Sequence, residues 1–143
     1  MTSRRFFTLI LSCWLLAAGS AQALQVTDDR GLTVTFARAP QRIVSLLPSL
    51  TESVCALGQC RRLVGVDRYS NYPESVQALP QVGGGLDPNL EAVVALKPDV
   101  VLMATSAPVG ERLQSLGIKV IALEPKPMPM CAACSKPLAA CLR

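Results

Sequence analysis

The sequence predicts an α/β domain built on a parallel sheet that is flanked by helices and preceded by a short β-hairpin. Four short apolar segments occur between residues 42 and 123, rich in Val, Ile and Leu and without the alternation of a half-exposed strand. Segments with helical signals separate them. Uninterrupted apolar strands that alternate with helices are typical of a parallel sheet covered on both faces.

Residues 24–41 are predicted to form the N-terminal hairpin. Residues 25–27 and 32–36 are its two arms, and Asp28-Asp29-Arg30-Gly31 supplies the turn, where Gly31 can adopt a positive φ. The main domain is then predicted to span residues 42–126.

The first buried strand, residues 42–47, leads directly into a helix. Pro48 ends the strand, and Ser49 followed by Glu52 has the pattern of a capping box, so we expect the helix to begin at this serine. Gly58 is expected to end the helix.

The later strands are predicted at residues 63–66, 99–104 and 119–123. A long polar loop follows the first of these, and loops of such length inside a compact domain are usually functional. The helix after that loop is predicted to have Asp87 as its N-cap and Pro88 at its first position. Ser106 is expected to cap the last helix.

Residues 1–23 have the pattern of a secretory signal peptide. Arg4 and Arg5 precede an apolar segment, and Ala21-Gln22-Ala23 forms a small-residue cleavage site. The apolar segment is shorter than the ~20 residues that cross a bilayer. We therefore predict cleavage after Ala23 and a mature protein in the periplasm.

Charge and composition exclude several classes of function. The chain has 14 Lys and Arg, 10 Asp and Glu and no histidine, and the charges are scattered. This is unlike the clustered basic surface of a nucleic-acid binder. The missing histidine removes the commonest metal ligand and general base, and no nucleophile, base and orienting group can be assembled. We predict no enzyme activity, no metal, no cofactor and no nucleic-acid partner.

Two stretches are candidate ligand-binding sites. Residues 48–51 connect the first buried strand to the helix that follows it. Backbone amides of the helix start are therefore expected at the carboxyl end of the sheet, which is where open α/β folds bind their ligands. An ordinary capped helix has the same pattern. Tyr69 lies in the polar loop and offers an apolar ring with a hydroxyl group that can hold a ligand. The alternative is that the aromatic residues here, with Tyr72-Pro73, only pack the loop. Gly83-Gly84-Gly85 lacks the spacing of a phosphate-binding loop and indicates a flexible joint or a close backbone approach.

The cysteines divide into two pairs. Cys55 and Cys60 are close in sequence and are predicted to form a structural disulfide in an exported protein. Cys131 and Cys134 form a C-x-x-C motif, which can be a redox pair or half of a zinc site but here lacks the strand-helix context of such a pair. Residues 127–143 have neither helical nor strand periodicity, and we predict an irregular tail that lies out of the reading frame.

Four ordered motifs resemble one protein family. They are RIVSLLPSLTE at residues 42–52, LVGVDRYSNYP at 63–73, NLEAVVALKPDVV at 89–101 and LGIKV at 116–120. Together they resemble the periplasmic substrate-binding proteins of ABC importers for vitamin B12, ferric siderophores and haem. The resemblance covers residues 39–126.

The resemblance implies a fold of two α/β lobes joined by a rigid helix, with the ligand between them, and this chain corresponds to the first lobe. The ligand-binding residues that it implies are Pro48, Ser49, Leu50, Thr51 and Tyr69. Glu91 matches a surface glutamate that meets arginines of the membrane permease. The ligand would be a cobalamin or a ferric chelate, and the partner the permease of the inner membrane.

Three departures from the family qualify this expectation. The second lobe and the joining helix have no counterpart in the chain, the tail matches nothing, and glycines precede Asn89 where vitamin B12-binding members have a tryptophan. A truncated lobe with little binding of its own, and a thiol or metal protein that uses Cys131 and Cys134, are the alternatives to a solute-binding component.

Overall fold

The structure, a computed structural model, describes residues 23–124 and contains six strands and three α-helices within them. The strands are β1 (Leu24–Thr27), β2 (Thr33–Phe36), β3 (Ile43–Ser45), β4 (Leu63–Val66), β5 (Val100–Met103) and β6 (Val120–Ala122), and the helices are α1 (Pro48–Ala56), α2 (Leu90–Ala95) and α3 (Gly110–Ser115). The predicted signal peptide lies outside the described residues except for Ala23, and the predicted tail with Cys131 and Cys134 lies wholly outside them.

The central sheet has the order β4-β3-β5-β6, and all of its neighbouring strands are parallel. β1 and β2 form a separate antiparallel hairpin. The predicted fold class is therefore confirmed. Within residues 23–124, no helix has the length and apolar character needed to cross a membrane.

The apolar strands are buried because both faces of the sheet are covered. Val100 and Leu102 of β5 belong to one core cluster, with Leu50 and Val54 of α1 and with Phe36 of the hairpin. The alternate residues of β5, which are Val101 and Met103, belong to a second cluster with residues of α2 and α3. Since successive side chains of a strand point to opposite faces, a strand between two helical layers needs an uninterrupted apolar sequence.

The long loop after β4 contributes to the sheet. The amide of Val66 donates to the carbonyl of Pro80 at 3.0 Å, the amide of Val82 donates to the carbonyl of Val66 at 2.9 Å, and the amide of Arg68 donates to Gly83 at 2.8 Å. A parallel bridge joins Val66 and Gln81. The second half of this loop thus covers the edge of β4 and satisfies backbone groups that a free edge would leave unpaired.

The predicted start of α1 is wrong. The helix begins at Pro48, and its N-cap is Leu47, which is extended and makes no side-chain capping bond. Pro48 occupies the first helical position because its fixed φ suits a helix and its missing N–H is not needed there. Ser49 therefore lies inside the first turn, where its carbonyl accepts a hydrogen bond from Ser53 Oγ at 2.7 Å. Gly58, with φ +73°, follows the helix as predicted.

The other two predicted caps are also wrong. α2 begins at Leu90, and its N-cap is Asn89, whose Oδ1 accepts from the amide of Ala92 at 3.0 Å. Asp87 is too far from the helix and pairs with Arg68 instead. α3 begins at Gly110 after Val109, without a side-chain cap from Ser106.

Two connections hold the periphery of the domain. Cys55 and Cys60 form a disulfide bond that joins the last turn of α1 to the 3-10 turn Cys60–Arg62, with 4.2 Å between the two Cα atoms. The hairpin is joined to β6 through its turn, where the amide of Asp29 donates to the carbonyl of Ala122 at 3.0 Å. Lys119 donates from Nζ to the carbonyl of Thr35 at 2.6 Å.

Candidate functional site

A depression of about 390 Å³ lies at the carboxyl ends of β3, β4 and β5. The chain passes from β3 outward to β4 and then crosses to β5 on the other side of β3. This reversal of strand order is the position where open α/β sheets bind their ligands. The depression is lined by Leu46, Leu47, Pro48, Asp67, Tyr69, Gly84, Gly85, Leu86, Asp87, Ala104 and Ser106.

Of the predicted turn at residues 48–51, only Pro48 lines the depression. Leu50 and Thr51 are buried, with 1% and 0% of their surface exposed. Their amides donate to the carbonyl of Leu47 at 3.1 and 3.0 Å, so these two first-turn donors are already used within the chain. Ser49 is half-buried and is not part of the lining. The turn approaches the site chiefly through its proline.

A buried polar network supports the loop that carries Tyr69. Asp67 is 1% exposed, and its Oδ1 accepts a short hydrogen bond from Ser70 Oγ. Ser70 Oγ lies 2.8 Å from Thr51 Oγ1, and because Ser70 gives its one proton to Asp67, Thr51 is the donor in this contact. Thr51 Oγ1 also lies 3.3 Å from the carbonyl oxygen of Leu47. The network therefore joins the loop after β4 to the first turn of α1. Buried polar groups that are fully hydrogen-bonded rigidify their surroundings, and Thr51 has this supporting position in the structure.

Tyr69 projects from this network into solvent at the rim of the depression. Its amide donates to Asp67 Oδ2 at 3.0 Å, which fixes the backbone, while 65% of the residue stays exposed. The guanidinium carbon of Arg68 lies 5.8 Å from the centre of the Tyr69 ring. Tyr72 is equally exposed, at 66%, but does not line the depression. The structure thus brings Tyr69 and Pro48 together and leaves Tyr72 outside.

Gly84 and Gly85 of the glycine triplet also line the depression. A Cβ atom on Gly85 would lie 2.5 Å from the carbonyl oxygen of Leu46, so only a glycine lets the loop approach the end of β3 this closely. Leu86 follows and is 68% exposed at the rim. Leu86 was not among the residues predicted from the sequence. The available signal was a large apolar residue directly after three glycines in a polar loop.

Glu91 lies elsewhere. It is exposed in the first turn of α2 and lines a separate groove of about 650 Å³ that also contains Val109 and Arg112. Leu86 and Asp87 border both hollows. The groove is larger but runs along the outer surfaces of two helices, so the depression at the strand ends is the better candidate for a small molecule.

Within residues 23–124, no three His, Cys, Asp or Glu side chains are arranged to hold a metal ion.

A single α/β lobe with an apolar depression at the strand-order reversal defines a class of small-molecule-binding domain. The family model described as "Periplasmic binding protein" matches residues 43–129, which is more than half of the chain. The chain therefore belongs to the periplasmic binding protein family, and the resemblance found in its sequence motifs is confirmed.

Individual relatives agree with this assignment. The chain is 39% identical over 101 residues to the uncharacterized ABC transporter substrate-binding lipoprotein YvrC of Bacillus subtilis, an alignment that covers 67% of this chain and 32% of the relative. It is 46% identical over 66 residues to the vitamin B12-binding protein of Yersinia pestis, which covers 46% of this chain and 24% of that protein. A periplasmic heme binding protein from Pseudomonas aeruginosa superposes with a TM-score of 0.56 at 41% identity, over 62% of this chain and 33% of that structure.

These alignments share one feature, which is partial coverage. The chain spans about a quarter to a third of the length of the relatives that it matches. The relatives are binding proteins rather than enzymes, and they favour a solute-binding component over the alternatives of a thiol protein or an inactive fragment.

Proposed function

We propose that this chain is the ligand-capturing part of an extracytoplasmic solute-binding component of an ABC importer. It would capture a cobalamin or an iron chelate such as haem or a ferric siderophore, and deliver it to the permease without performing chemistry. The observation that carries the proposal is the depression at the ends of β3, β4 and β5, with Tyr69 exposed at its rim.

The shape and lining of the depression support this ligand class. Its volume lies within the ~300–1,000 Å³ typical of small-molecule sites. Pro48 and the ring of Tyr69 offer apolar contact area, and the Tyr69 hydroxyl offers one polar contact. A corrin or porphyrin is a broad, largely apolar ring, so one lobe with these contacts would cover one face of it.

A periplasmic location fits three features of the chain. Relatives include a periplasmic binding protein and a substrate-binding lipoprotein. Residues 1–23 have the pattern of a signal peptide, and the Cys55–Cys60 disulfide is of a kind that persists outside the cytoplasm.

The two exposed tyrosines allow a matched test of ligand capture. Cyanocobalamin, haemin and a ferric siderophore would each be titrated against the purified chain, with binding followed by equilibrium dialysis. We expect at least one of them to bind and Tyr69→Ala to weaken that binding about tenfold, because aromatic contacts contribute about 0.5–1.5 kcal/mol beyond their buried area.

Tyr72→Ala is the control, since Tyr72 is equally exposed but lies outside the lining. It should leave the dissociation constant within about twofold of the unchanged chain. Equal losses in both variants would contradict a site at Tyr69, and no binding of any of the three ligands would refute the proposed function.

Delivery is proposed to depend on Glu91. This residue is exposed in the groove between α2 and α3, away from Tyr69, so a change of its charge should not alter ligand capture. In cells that carry the matching permease, Glu91→Arg is expected to abolish uptake of the ligand while its affinity stays unchanged. Glu111→Arg, an exposed first-turn glutamate of α3 outside this groove, serves as the control. Normal uptake with Glu91→Arg would remove the docking role.

A further inference from the structure

We infer that the edge of the central sheet opposite the depression is a docking surface for an anionic phospholipid membrane. Six basic residues at the amino ends of the four parallel strands form this surface, which we call the basic edge. They are Arg38, Arg42, Arg61, Arg62, Lys97 and Lys119. The surface is separate from the depression, so the inference does not depend on ligand capture.

The topology of the sheet brings these residues together, although they are scattered along the chain. Arg42 directly precedes β3, Arg62 directly precedes β4 and Lys119 directly precedes β6. Lys97 lies shortly before β5. Because all four strands are parallel, their amino ends lie at one edge, and the order β4-β3-β5-β6 spreads the charges over about 14 Å at ~4.8 Å between strands.

The basic edge results from a separation of charge within the domain. Residues 23–124 have nine Lys and Arg and ten Asp and Glu, so the domain as a whole is close to neutral. The segments that lead into the four strands are residues 37–42, 57–62, 96–99 and 116–119. Asp99 is the one acidic residue in these segments, and its Oδ2 accepts from the amides of Gln41 and Arg42 at 2.8 and 3.0 Å.

The charges of the basic edge are open to solvent. Five of its six residues are exposed, and the sixth, Arg62, is half-buried and donates from Nη1 to the carbonyl of Pro40 at 3.3 Å. None of the five exposed residues forms an ion pair with another residue of the described range 23–124. Arg42 donates from Nη2 to the carbonyl of Leu96 at 2.6 Å, and such a bond leaves its net charge in place.

Helix ends offset only part of this charge. Each of the three α-helices connects two parallel strands, so its carboxyl end lies near the basic edge, where it contributes roughly half a negative charge. Together with the carboxylate of Asp99, these helix ends leave about three of the six positive charges without compensation. Balancing of the helix dipoles therefore does not account for the whole cluster.

A hollow of about 270 Å³ lies within the basic edge, and Arg38 and Lys119 both line it. Arginine and lysine are the side chains that bind phosphate groups. Phe36 also lines the hollow, and it pairs with Leu24 at the start of β1. The first strand of the domain thus starts beside the basic edge, directly after the predicted signal peptide at residues 1–23.

This path of the chain favours a membrane over other polyanions. Lysines and arginines next to a membrane-inserted segment attract anionic lipid headgroups. A domain bound by its basic edge presents the depression to the periplasm, because the two lie at opposite ends of the strands. Salt screens exposed charges beyond about 8–10 Å, so the attachment is weak and reversible, and the domain stays near the permease yet free to turn and dock through Glu91.

Vesicles of defined composition test the inference on the exported chain. Co-sedimentation would compare pure phosphatidylcholine with a mixture that contains about one third phosphatidylglycerol. We expect at least about tenfold tighter partitioning onto the anionic vesicles, and loss of the difference near 1 M salt, where screening acts within ~3 Å. Equal partitioning onto both vesicles, or binding of duplex DNA without binding of the anionic vesicles, would overturn the inference.

Charge variants locate the contact. Arg38→Gln, Arg61→Gln and Lys97→Gln together should weaken partitioning onto anionic vesicles at least about twentyfold, and Arg38→Gln alone about fivefold. The side chains of these three residues have no hydrogen bond within residues 23–124, so the changes should not disturb the fold. Arg112→Gln, an exposed arginine in the Glu91 groove, is the control and should change partitioning by less than about twofold.

A charge-conserving triple variant separates charge from folding. Arg38→Lys, Arg61→Lys and Lys97→Arg together should partition like the unchanged chain. Equal losses in the two triple variants, or no loss in the glutamine triple, would show that the membrane does not recognise the basic edge. Ligand affinity should stay the same in every variant, so failure of this inference would leave the proposed function standing.

Discussion

Asp28 in the hairpin turn and Asp67 after β4 are two buried aspartates with the same local geometry. They are 5% and 1% exposed, and in each a carboxylate oxygen accepts from the amide two residues further along, at 3.0 Å. Their further partners differ. Asp28 is neutralised by Arg30 at 2.9 Å and accepts from the amide of Ala122 in β6 at 3.3 Å. Asp67 is met by a hydroxyl group, that of Ser70.

The different partners give the two aspartates different roles: Asp28 stabilises the fold, and Asp67 supports the candidate site. An ion pair with Arg30 and one long-range hydrogen bond from the amide of Ala122 make Asp28 an attachment of the hairpin to the sheet. Hydroxyl partners and a place in the lining make Asp67 the support of the exposed Tyr69. The same turn geometry thus serves stability in one region and ligand presentation in the other, and three experiments test this contrast.

The largest effect is expected from Asp28→Ala, because the change leaves Arg30 and the amides of Leu32 and Ala122 without their acceptor. Removing one partner of a buried charge pair is strongly destabilising, so we expect a loss of about 2–4 kcal/mol in the free energy of unfolding. Urea denaturation followed by circular dichroism measures it.

Asp87→Ala is the matched control for this variant, since Asp87 has the same 2.9 Å distance to its arginine but a 74% exposed side chain. Exposed pairs contribute about 0–1 kcal/mol. If both variants lost the same stability, burial of the Asp28 pair would not matter and the contrast would fail.

A smaller loss of stability, about 1–3 kcal/mol, is expected from Asp67→Ala, because the Ser70 hydroxyl and the Tyr69 amide lose their acceptor. This variant should also weaken ligand binding, since the Tyr69 loop loses its support. Asp67→Asn keeps one acceptor oxygen and should recover part of both properties. If Asp67→Ala lost stability but kept its full ligand affinity, Asp67 would have only a structural role, like Asp28.

The smallest effect is a difference in pH dependence. Burial disfavours the charge of Asp28, but hydrogen bonds from Leu32, Arg30 and Ala122 outweigh it and hold the pKa of this carboxyl group below its ordinary value of 3.8. The ionised form is therefore preferred in the folded state. Its contribution is complete above about pH 5 and is lost as the pH falls through 3.8 to the depressed pKa.

Comparison with Asp28→Asn isolates this contribution. The difference in unfolding free energy between the unchanged chain and the variant should be constant from pH 7 to about pH 5 and should shrink as the pH falls below 3.8. Denaturation series at each pH measure it. A difference that persisted unchanged at pH 2 would show that Asp28 does not titrate as proposed.

Much of the fold followed from local patterns. β4 lies at the predicted residues 63–66, and the hairpin and the other three strands lie within a few residues of their predicted positions. The helix starts were less predictable. Ser49, Asp87 and Ser106 each have capping chemistry, but none of them caps its helix. Asn89 caps α2 in place of Asp87, whereas α1 and α3 begin after Leu47 and Val109 without a side-chain cap.

The candidate site was predicted in part. Pro48 and Tyr69 line the depression, but Leu86 and Asp67 were missed, and Thr51 has a buried supporting position. These residues are separated along the chain by up to about 40 positions. Their meeting depends on the close approach of Gly85 to Leu46 and on the hydroxyl contact between Thr51 and Ser70, which no local pattern records.

The sequence by itself determined the class of fold and the family. Uninterrupted apolar strand segments, glycines that end helices and the ordered motifs are local properties, which each segment has independently of the rest of the chain. Only the tertiary structure decided which side of each loop faces a ligand, which aspartate supports the hairpin and which supports Tyr69, and where the loop after β4 lies. The physical reason is that burial and hydrogen-bond pairing are set by neighbours distant in sequence, so an identical aspartate turn acquires its role only from what the fold places beside it.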